Sequence, residues 1–319
     1  MPDLSVRIGP LSLRNPILSA SGTYGHGLEM RHFTAPDQVG GLVSKTVTLN
    51  PRAGNPQPRI RETEAGMLNS IGLENKGIDH YIEHVLPDME GADTVVVTNI
   101  GGESVEEYLE LARRLEPHKT SDAFEVNLSC PNVQGGSLPF ARDPGAAARV
   151  ISGICEITDR PVFAKLSPNV SNISEMAIAV EEAGAAAITA VNTLLGMAVD
   201  WRTGKPGLGT IQGGYSGPGI KPVALQMAWN CARSVSIPVI GCGGIDSVDG
   251  ILEFLVAGCT AVQLGTACFV DPALPGRFAA ELDQKLAEAG VERVADLIGT
   301  IRDGRDGRGG RDGREDRAG

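Results

Sequence analysis

Short apolar runs alternate along the chain with longer stretches in which apolar residues recur at helical spacing. Runs of about four to eight residues are typical of buried strands, and a period of about 3.6 residues is typical of helices packed on one face. The predicted strands are 16–21, 41–48, 93–100, 124–130, 161–167, 186–193, 238–245 and 261–267. Helices are predicted between them, at 105–115, 146–157, 173–183 and 222–235 among others.

This alternation predicts an α/β protein of the (β/α)8 or TIM-barrel class. Strands that alternate with helices form a parallel sheet with right-handed crossovers. Eight such units in roughly 280 residues match the count and length of a closed barrel. The alternative is an open, doubly wound sheet, but no Gly-x-Gly-x-x-Gly motif follows the first strand. We therefore expect one barrel domain over residues 1–301.

Three segments depart from the alternation. Residues 49–75 are rich in Pro, Arg and Gly, and residues 194–221 carry a series of glycines. Long loops on one face of a barrel commonly carry function. We expect the first to fold over the barrel mouth and the second to act as a mobile lid. In residues 302–319, Arg recurs every third residue among Asp and Gly, which predicts a disordered tail.

Composition and charge narrow the class of function. Hydrophobic residues make up 42% of the 319-residue chain, enough for one large core. The formal net charge of −11 argues against nucleic acid or an anionic membrane as the main partner. We find no secretion signal and no apolar stretch of the roughly 18 residues that a membrane helix needs. We expect a cytoplasmic protein that binds a small molecule.

Cys130 is the cysteine whose position predicts chemistry. It follows a strand and precedes Pro131 and Asn132, so a turn should expose its thiol at the barrel mouth. A thiol with an ordinary pKa of about 8.5 can act as a base or a nucleophile. The remaining cysteines fall in helix or strand contexts and are interpreted as core residues: Cys155, Cys231, Cys242, Cys259 and Cys268. The chain has no Cys-x-x-Cys pair and its histidines are scattered, so the sequence predicts neither a metal site nor an iron–sulfur cluster in this chain.

The predicted strands end in polar residues or glycine, and barrel enzymes carry their reacting groups at these ends. Lys45 and Lys165 lie among apolar residues and need an anion, which either a ligand or a structural acid could supply. Asn69, Asn99, Asn127 and Asn192 suit a planar cyclic amide such as a pyrimidine or a flavin, although asparagine is also a common cap. Glycines follow strands seven and eight, where many barrels bind phosphate; a tight turn is the alternative. These glycines are Gly243, Gly244 and Gly265.

Several segments resemble the dihydroorotate dehydrogenase family, among them Asn-Leu-Ser-Cys-Pro-Asn at 127–132 and Ala-Lys-Leu-Ser-Pro-Asn at 164–169. The others lie at 15–22, 54–59, 67–73, 191–197, 217–222 and 241–245. The resemblance runs in order from about residue 4 to about residue 290. It implies an FMN-dependent oxidation of (S)-dihydroorotate to orotate in pyrimidine biosynthesis. Cys130 would remove the proton from C5 while hydride leaves C6, and Lys165 would stabilise negative charge on the reduced flavin.

The resemblance also implies the binding residues. FMN would contact Ser21, Lys45, Thr46, Asn99, Asn127, Lys165, Val191, Gly217, Gly243, Gly244, Gly265 and Thr266. Substrate would contact Lys45, Asn69, Ser70, Ile71, Gly72, Leu73, Asn127, Asn192 and Thr193.

The family divides into classes by the residue at the position of Cys130. By resemblance, a cysteine there indicates the soluble class 1, whereas class 2 has serine. Residues 192–197 and 215–218 resemble the NAD-linked class 1B, with the fumarate-dependent class 1A as the alternative. Class 1B implies a partner subunit with FAD and a [2Fe–2S] cluster, around a homodimeric core of a heterotetramer. Two other functions stay open: a dihydropyrimidine dehydrogenase, which would act on uracil, and a flavin-binding barrel without catalysis.

Overall fold

The computed structural model describes residues 1–128 and 139–302. At its centre is a closed barrel of eight parallel strands, in which each strand pairs with the next and the last pairs with the first. The strands are β1 (Ile17–Ser19), β2 (Gly41–Val43), β3 (Val95–Ile100), β4 (Ala123–Asn127), β5 (Val162–Leu166), β6 (Ala187–Ala190), β7 (Val239–Cys242) and β8 (Ala261–Leu264). The predicted barrel is therefore confirmed, and closure between β8 and β1 excludes the open sheet.

Helices surround the barrel, and the four predicted ones agree with the structure to within two residues at each end. The helices after β3 to β8 are Val105–Leu115, Pro144–Cys155, Ile173–Glu182, Lys221–Ser234, Val248–Val256, Ala267–Val270 and Leu274–Glu288. After β2, two short helices, Gly77–His80 and Leu86–Met89, flank a π-helical turn. Side chains of Ser104, Asn172 and Ser247 accept hydrogen bonds from first-turn amides, which explains where three helices begin.

The two insertions form a single antiparallel sheet, which we did not predict. The hairpin of Ile60–Thr63 and Gly66–Asn69 comes from the first insertion, and Leu194–Gly196 and Gly213–Ser216 come from the second. Gly66–Asn69 pairs with Gly213–Ser216 and so joins the two. A Cβ atom on Gly66 would lie 2.0 Å from the Ser216 carbonyl oxygen, so this close approach requires glycine. The insertions follow β2 and β6, which places the sheet at the C-terminal mouth of the barrel.

Side chains inside the barrel are polar near the middle of several strands. In β4, Phe124 and Val126 alternate with Glu125 and Asn127, and all four are buried. Alternate residues of a strand point to opposite faces, so Glu125 and Asn127 share a face. The hydrogen bonds of Glu125 to residues of β3, β6 and β8 show that this face lies inside the barrel.

Two further expectations concern membrane-spanning helices and the C-terminal tail. Within the described ranges, no helix is both long and apolar enough to cross a membrane. The predicted tail lies outside the described residues from position 303 onward, so its proposed boundary at residue 301 stays a prediction.

Candidate active site

A buried carboxylate organises the barrel interior. Glu125 is fully buried and accepts hydrogen bonds from Asn99 Nδ2 at 2.7 Å and from the Thr189 hydroxyl at 2.8 Å. Gln263 Nε2 also donates to it, and Lys165 Nζ lies 3.5 Å from its Oε1. A buried charge is tolerated only when it is paired and hydrogen-bonded, and Glu125 meets both conditions.

Lys165 differs in one respect from what its sequence context suggested. Of the two possible sources of its anion, a ligand or a structural acid, the structure shows the acid, because Glu125 pairs with this lysine. Lys165 Nζ also donates to Gln263 Oε1 at 2.8 Å. Burial alone favours the neutral amine, but the charge and hydrogen bond of Glu125, with a contribution from Cys242, outweigh it and raise the pKa of Lys165.

One acceptor in this network is unsatisfied. Asn99 is fully buried and donates to Glu125, yet its Oδ1 receives no hydrogen bond from any described residue. Buried polar atoms nearly always have a partner, so an orphaned acceptor indicates a place for a donor that the protein itself does not supply. An N–H group of a bound ligand would satisfy it.

A row of polar side chains crosses the mouth of the barrel from β1 to β6. Ser21 Oγ lies 3.4 Å from Thr46 Oγ1, and Asn127 Nδ2 donates to the same hydroxyl at 3.4 Å. Asn192 Nδ2 in turn donates to Asn127 Oδ1 at 3.3 Å. Residues predicted for the cofactor and residues predicted for the substrate therefore meet at Asn127.

The insertion sheet brings Asn69 to the same side as Thr193. Asn69 pairs with Gly214, and its Nδ2 donates to the Gly214 carbonyl at 3.3 Å. A Cβ atom on Gly214 would lie 2.1 Å from Thr193 Oγ1, so Thr193 packs directly over this glycine. Two predicted substrate residues that are distant in sequence are thus joined through one backbone position.

The rest of the predicted substrate segment, residues 70–73, is held by contacts from both insertions. Ser70 is buried, and its hydroxyl is hydrogen-bonded by Asn55 at 2.9 Å and by Thr210 at 2.8 Å. The Ile71 carbonyl accepts from the Asn55 amide, and Gly72 and Leu73 both have positive φ. Ser70 Oγ is the acceptor in both bonds, so the Ser70 O–H can still donate to a ligand.

Lys45 has no carboxylate counter-charge among the described residues, although it lies close to the polar row. It follows β2, is half-buried, and pairs with no carboxylate among the described residues. Its neighbour Thr46 belongs to the polar row described above. A half-buried ammonium beside a polar pocket is suited to an anionic ligand.

The glycines after β7 and β8 lie where a phosphate site was predicted. Gly243 and Gly244 have φ values of 130° and 75°, and a Cβ atom on Gly244 would lie 2.6 Å from the Lys221 backbone nitrogen. Thr266 donates to Ser216 Oγ at 2.8 Å and so links β8 to the insertion sheet. Gly217 also has positive φ and approaches Gly66, whereas Gly265 has no positive φ and a Cβ atom there would make only ordinary van der Waals contacts, the nearest at 3.5 Å to Ala20. Val191 ties β6 to β7 through its amide, which donates to the Cys242 carbonyl.

Cys130 lies outside the described residues, so the structure gives no position for it. Of the other cysteines, four are buried as predicted, and Cys155 is half-buried. Cys242 has an unexpected location, because it is close enough to Lys165 for each to influence the other's pKa. Burial raises the pKa of the Cys242 thiol, and Lys165 only partly offsets this.

Sequence inspection missed three polar members of the buried network, Glu125, Thr189 and Gln263. The alternation within a strand could have identified Glu125, because residues two apart lie on the same face of a strand. Glu125 therefore shares a face with Asn127 in a run that is otherwise apolar. The same reasoning applies to Gln263 in β8. A charged residue in such a run predicts a partner inside the barrel.

Comparisons with known proteins agree with this arrangement. Residues 3–286 match the sequence model of the dihydroorotate dehydrogenase family. The proteins named dihydroorotate dehydrogenase B (NAD(+)), catalytic subunit, from Geobacter metallireducens and Trichlorobacter lovleyi are 48% and 49% identical to this chain, and each alignment covers 94% of this chain and 99% of the relative. A crystal structure of DHODH from Eimeria tenella in complex with ferulenol has a TM-score of 0.79 at 22% identity, covers 94% of this chain and 89% of its own, and supports the fold. The chain belongs to the dihydroorotate dehydrogenase family.

Proposed function

We propose that this chain is the FMN-binding catalytic subunit of an NAD-linked dihydroorotate dehydrogenase, which oxidises (S)-dihydroorotate to orotate. The observation that carries this proposal is the polar row at the barrel mouth, where Thr46, Asn127 and Asn192 are joined by hydrogen bonds. A flavin and a substrate must be in contact for hydride transfer, and the residues predicted for each are contiguous here. The names of the relatives support the NAD-linked subtype over the fumarate-dependent one.

The barrel interior fits the ring of FMN. The orphaned Asn99 Oδ1 would accept from a ring N–H, and the Lys45 and Lys165 ammonium groups would donate to ring carbonyls or nitrogens. When bound, FMN supplies the hydride acceptor. The residues proposed to hold it are Ser21, Lys45, Thr46, Asn99, Asn127, Lys165, Val191, Gly217, Gly243, Gly244, Gly265 and Thr266.

The polar row fits a cyclic amide that carries a carboxylate. Each asparagine side chain has a donating NH2 group beside an accepting oxygen, which matches the alternating N–H and C=O groups of a pyrimidine ring. Lys45, which has no carboxylate partner among the described residues, would pair with the substrate carboxylate. The residues proposed to contact substrate are Lys45, Asn69, Ser70, Ile71, Gly72, Leu73, Asn127, Asn192 and Thr193.

Cys130 is proposed as the base that removes the C5 proton of dihydroorotate. It follows the end of β4 by three residues, and β4 ends at Asn127 within the polar row. Strand ends at this face carry the reacting groups of barrel enzymes. A positioned base contributes about 100- to 10,000-fold to a proton transfer.

Electrons are proposed to leave FMN through a second subunit that carries FAD and a [2Fe–2S] cluster, in a heterotetramer around a homodimeric core. The relatives are named as catalytic subunits, which implies that a further subunit exists for them. An iron–sulfur cluster requires clustered thiolates, and this sequence has no Cys-x-x-Cys pair. A partner that supplies the cluster is consistent with that pattern.

The proposed activity is tested by adding dihydroorotate anaerobically to the purified, FMN-loaded chain and recording visible flavin absorbance. We expect dihydroorotate to bleach the flavin. Fumarate should not restore the flavin absorbance, and NAD should restore it only after the partner subunit is added. Recovery with fumarate alone would instead indicate class 1A. Dihydrouracil is the control, because bleaching by this compound and not by dihydroorotate would indicate a dihydropyrimidine dehydrogenase. A flavin that neither substrate bleaches would overturn the proposal.

Thr193→Val is expected to raise the KM for dihydroorotate by about five- to tenfold, because a neutral hydrogen bond contributes roughly 1 kcal/mol. Valine keeps the shape that packs over Gly214 and removes only the hydroxyl. Steady-state kinetics with the partner subunit, together with flavin content, would measure the effect. Thr203→Val, in an exposed turn of the second insertion, is the matched control. An unchanged KM would remove the Thr193 hydroxyl from the substrate site.

A further inference from the structure

The Lys165 ammonium is held in place through a bridging amide. Its shortest contact is 2.8 Å, to Gln263 Oε1, while its distance to Glu125 Oε1 is 3.5 Å. Gln263 Nε2 donates to the other carboxylate oxygen of Glu125. An amide has one donating and one accepting end, so Glu125 determines which end Gln263 presents to the lysine.

Side chains from five strands surround the Lys165–Glu125 pair. The titratable groups are Glu125 from β4 and Cys242 from β7, and the neutral polar groups are Asn99 from β3, Thr189 from β6 and Gln263 from β8. Glu125 is the only carboxylate that pairs with Lys165 among the described residues. Lys165 is 4% exposed, so bulk water solvates its charge little.

We propose that Glu125 is a positioning residue that keeps Lys165 protonated and fixed in the barrel interior, so that the lysine presents a positive charge to the bound flavin. The part of this inference that concerns the flavin rests on the function proposed above. Without Glu125 the ammonium would be a buried charge without compensation, and such groups lose their proton instead of remaining charged. Gln263 would also lose the acceptor that orients it.

The variant Glu125→Gln removes the charge and retains the size of the side chain. We expect the pKa of Lys165 to fall by about two units or more, since burial alone shifts lysines by up to several units. NMR titration of lysines labelled at Cε would report this directly, with the Lys165 signal assigned by its loss in Lys165→Met. The measurement is made on the chain with flavin bound and again after flavin removal.

Glu125→Asp is the matched control, because it retains the charge and should leave Lys165 protonated. A Lys165 that stays protonated in Glu125→Gln to the same pH as in wild type would overturn the proposal. Wild-type protein supplies a test that survives misfolding of the variant: a Lys165 that titrates below its ordinary pKa in wild type would overturn the proposal by itself.

The flavin potential separates this inference from the function on which it rests. Relative to wild type, the midpoint potential of Glu125→Gln should fall as pH rises through the new pKa of Lys165, because a positive charge stabilises the reduced flavin. The double variant Glu125→Gln/Lys165→Met should show no such fall. In Glu125→Gln, Lys165 could lose its proton at a lower pH than in wild type while the flavin midpoint potential stays unchanged through that titration. This result would contradict the contact between Lys165 and the flavin, but it would support the control of Lys165 by Glu125.

Discussion

Cys130→Ala will slow the reduction of bound flavin by dihydroorotate by about 100- to 10,000-fold, while the flavin remains bound. The expected loss is that of a general base, because alanine keeps the backbone and removes the group that accepts the C5 proton. Anaerobic stopped-flow measurement of flavin absorbance isolates this half-reaction from the steps that follow it. FMN content, measured on the same preparation, shows whether the cofactor site is intact.

Cys155→Ala is the control for this experiment. Cys155 is half-buried at the end of an outer helix, and its thiol donates to the Gly184 carbonyl at 3.4 Å, away from the polar row. Its loss should leave the rate of flavin reduction unchanged. Near-normal reduction in Cys130→Ala would remove Cys130 from the base role.

The pH dependence provides a second criterion for Cys130. Because the thiolate is the active form, the rate of flavin reduction by wild type should rise with pH as the thiol ionises and then level off. A serine hydroxyl is far less acidic than a thiol, so Cys130→Ser should be slow at neutral pH and should gain rate only at more alkaline pH. A flat profile that is the same for cysteine and serine would contradict a base at this position.

The barrel could be predicted from sequence because its signals are local. Each strand is a short apolar run, and Pro16, Pro161 and Pro238 mark where predicted runs begin. Several observed strands are shorter than the predicted runs, since residues such as Lys45 and Thr46 continue past the last ladder pair of β2. Lysine and threonine at that point belong to the mouth of the barrel and not to its wall.

Interactions between distant segments could not be predicted in the same way. The pairing of Asn69 with Gly214 joins two loops whose own patterns show no clear strand alternation. Register between such segments is set by tertiary contact, here the close approach of Gly66 to Ser216. The partner of Lys165 was missed for a related reason, because the interpretation of each strand end separately gave no weight to Glu125 in the middle of β4.

Gly244→Ala is expected to weaken FMN binding by roughly 100-fold, which corresponds to about 2.7 kcal/mol. The residue has a φ of 75°, and an added Cβ atom would lie 2.6 Å from the Lys221 backbone nitrogen. Backbone atoms cannot rotate away as a side chain can, so the loop after β7 must move, and the amides proposed to contact the FMN phosphate move with it. Titration of the flavin-free chain with FMN, followed by flavin fluorescence, would measure the affinity.

Backbone strain alone must be separated from this displacement, and Gly91→Ala is suited to that purpose. Gly91 has a φ of 78°, close to that of Gly244, but a Cβ atom there would meet nothing within 4 Å. Alanine at position 91 therefore adds a left-handed residue without a clash and should lower stability by about 1 kcal/mol with no effect on FMN affinity. If both variants bind FMN as wild type does, the glycines after β7 form only a tight turn and the phosphate lies elsewhere. If only Gly244→Ala loses affinity, the loss comes from the position of that loop, because both variants place alanine at nearly the same positive φ.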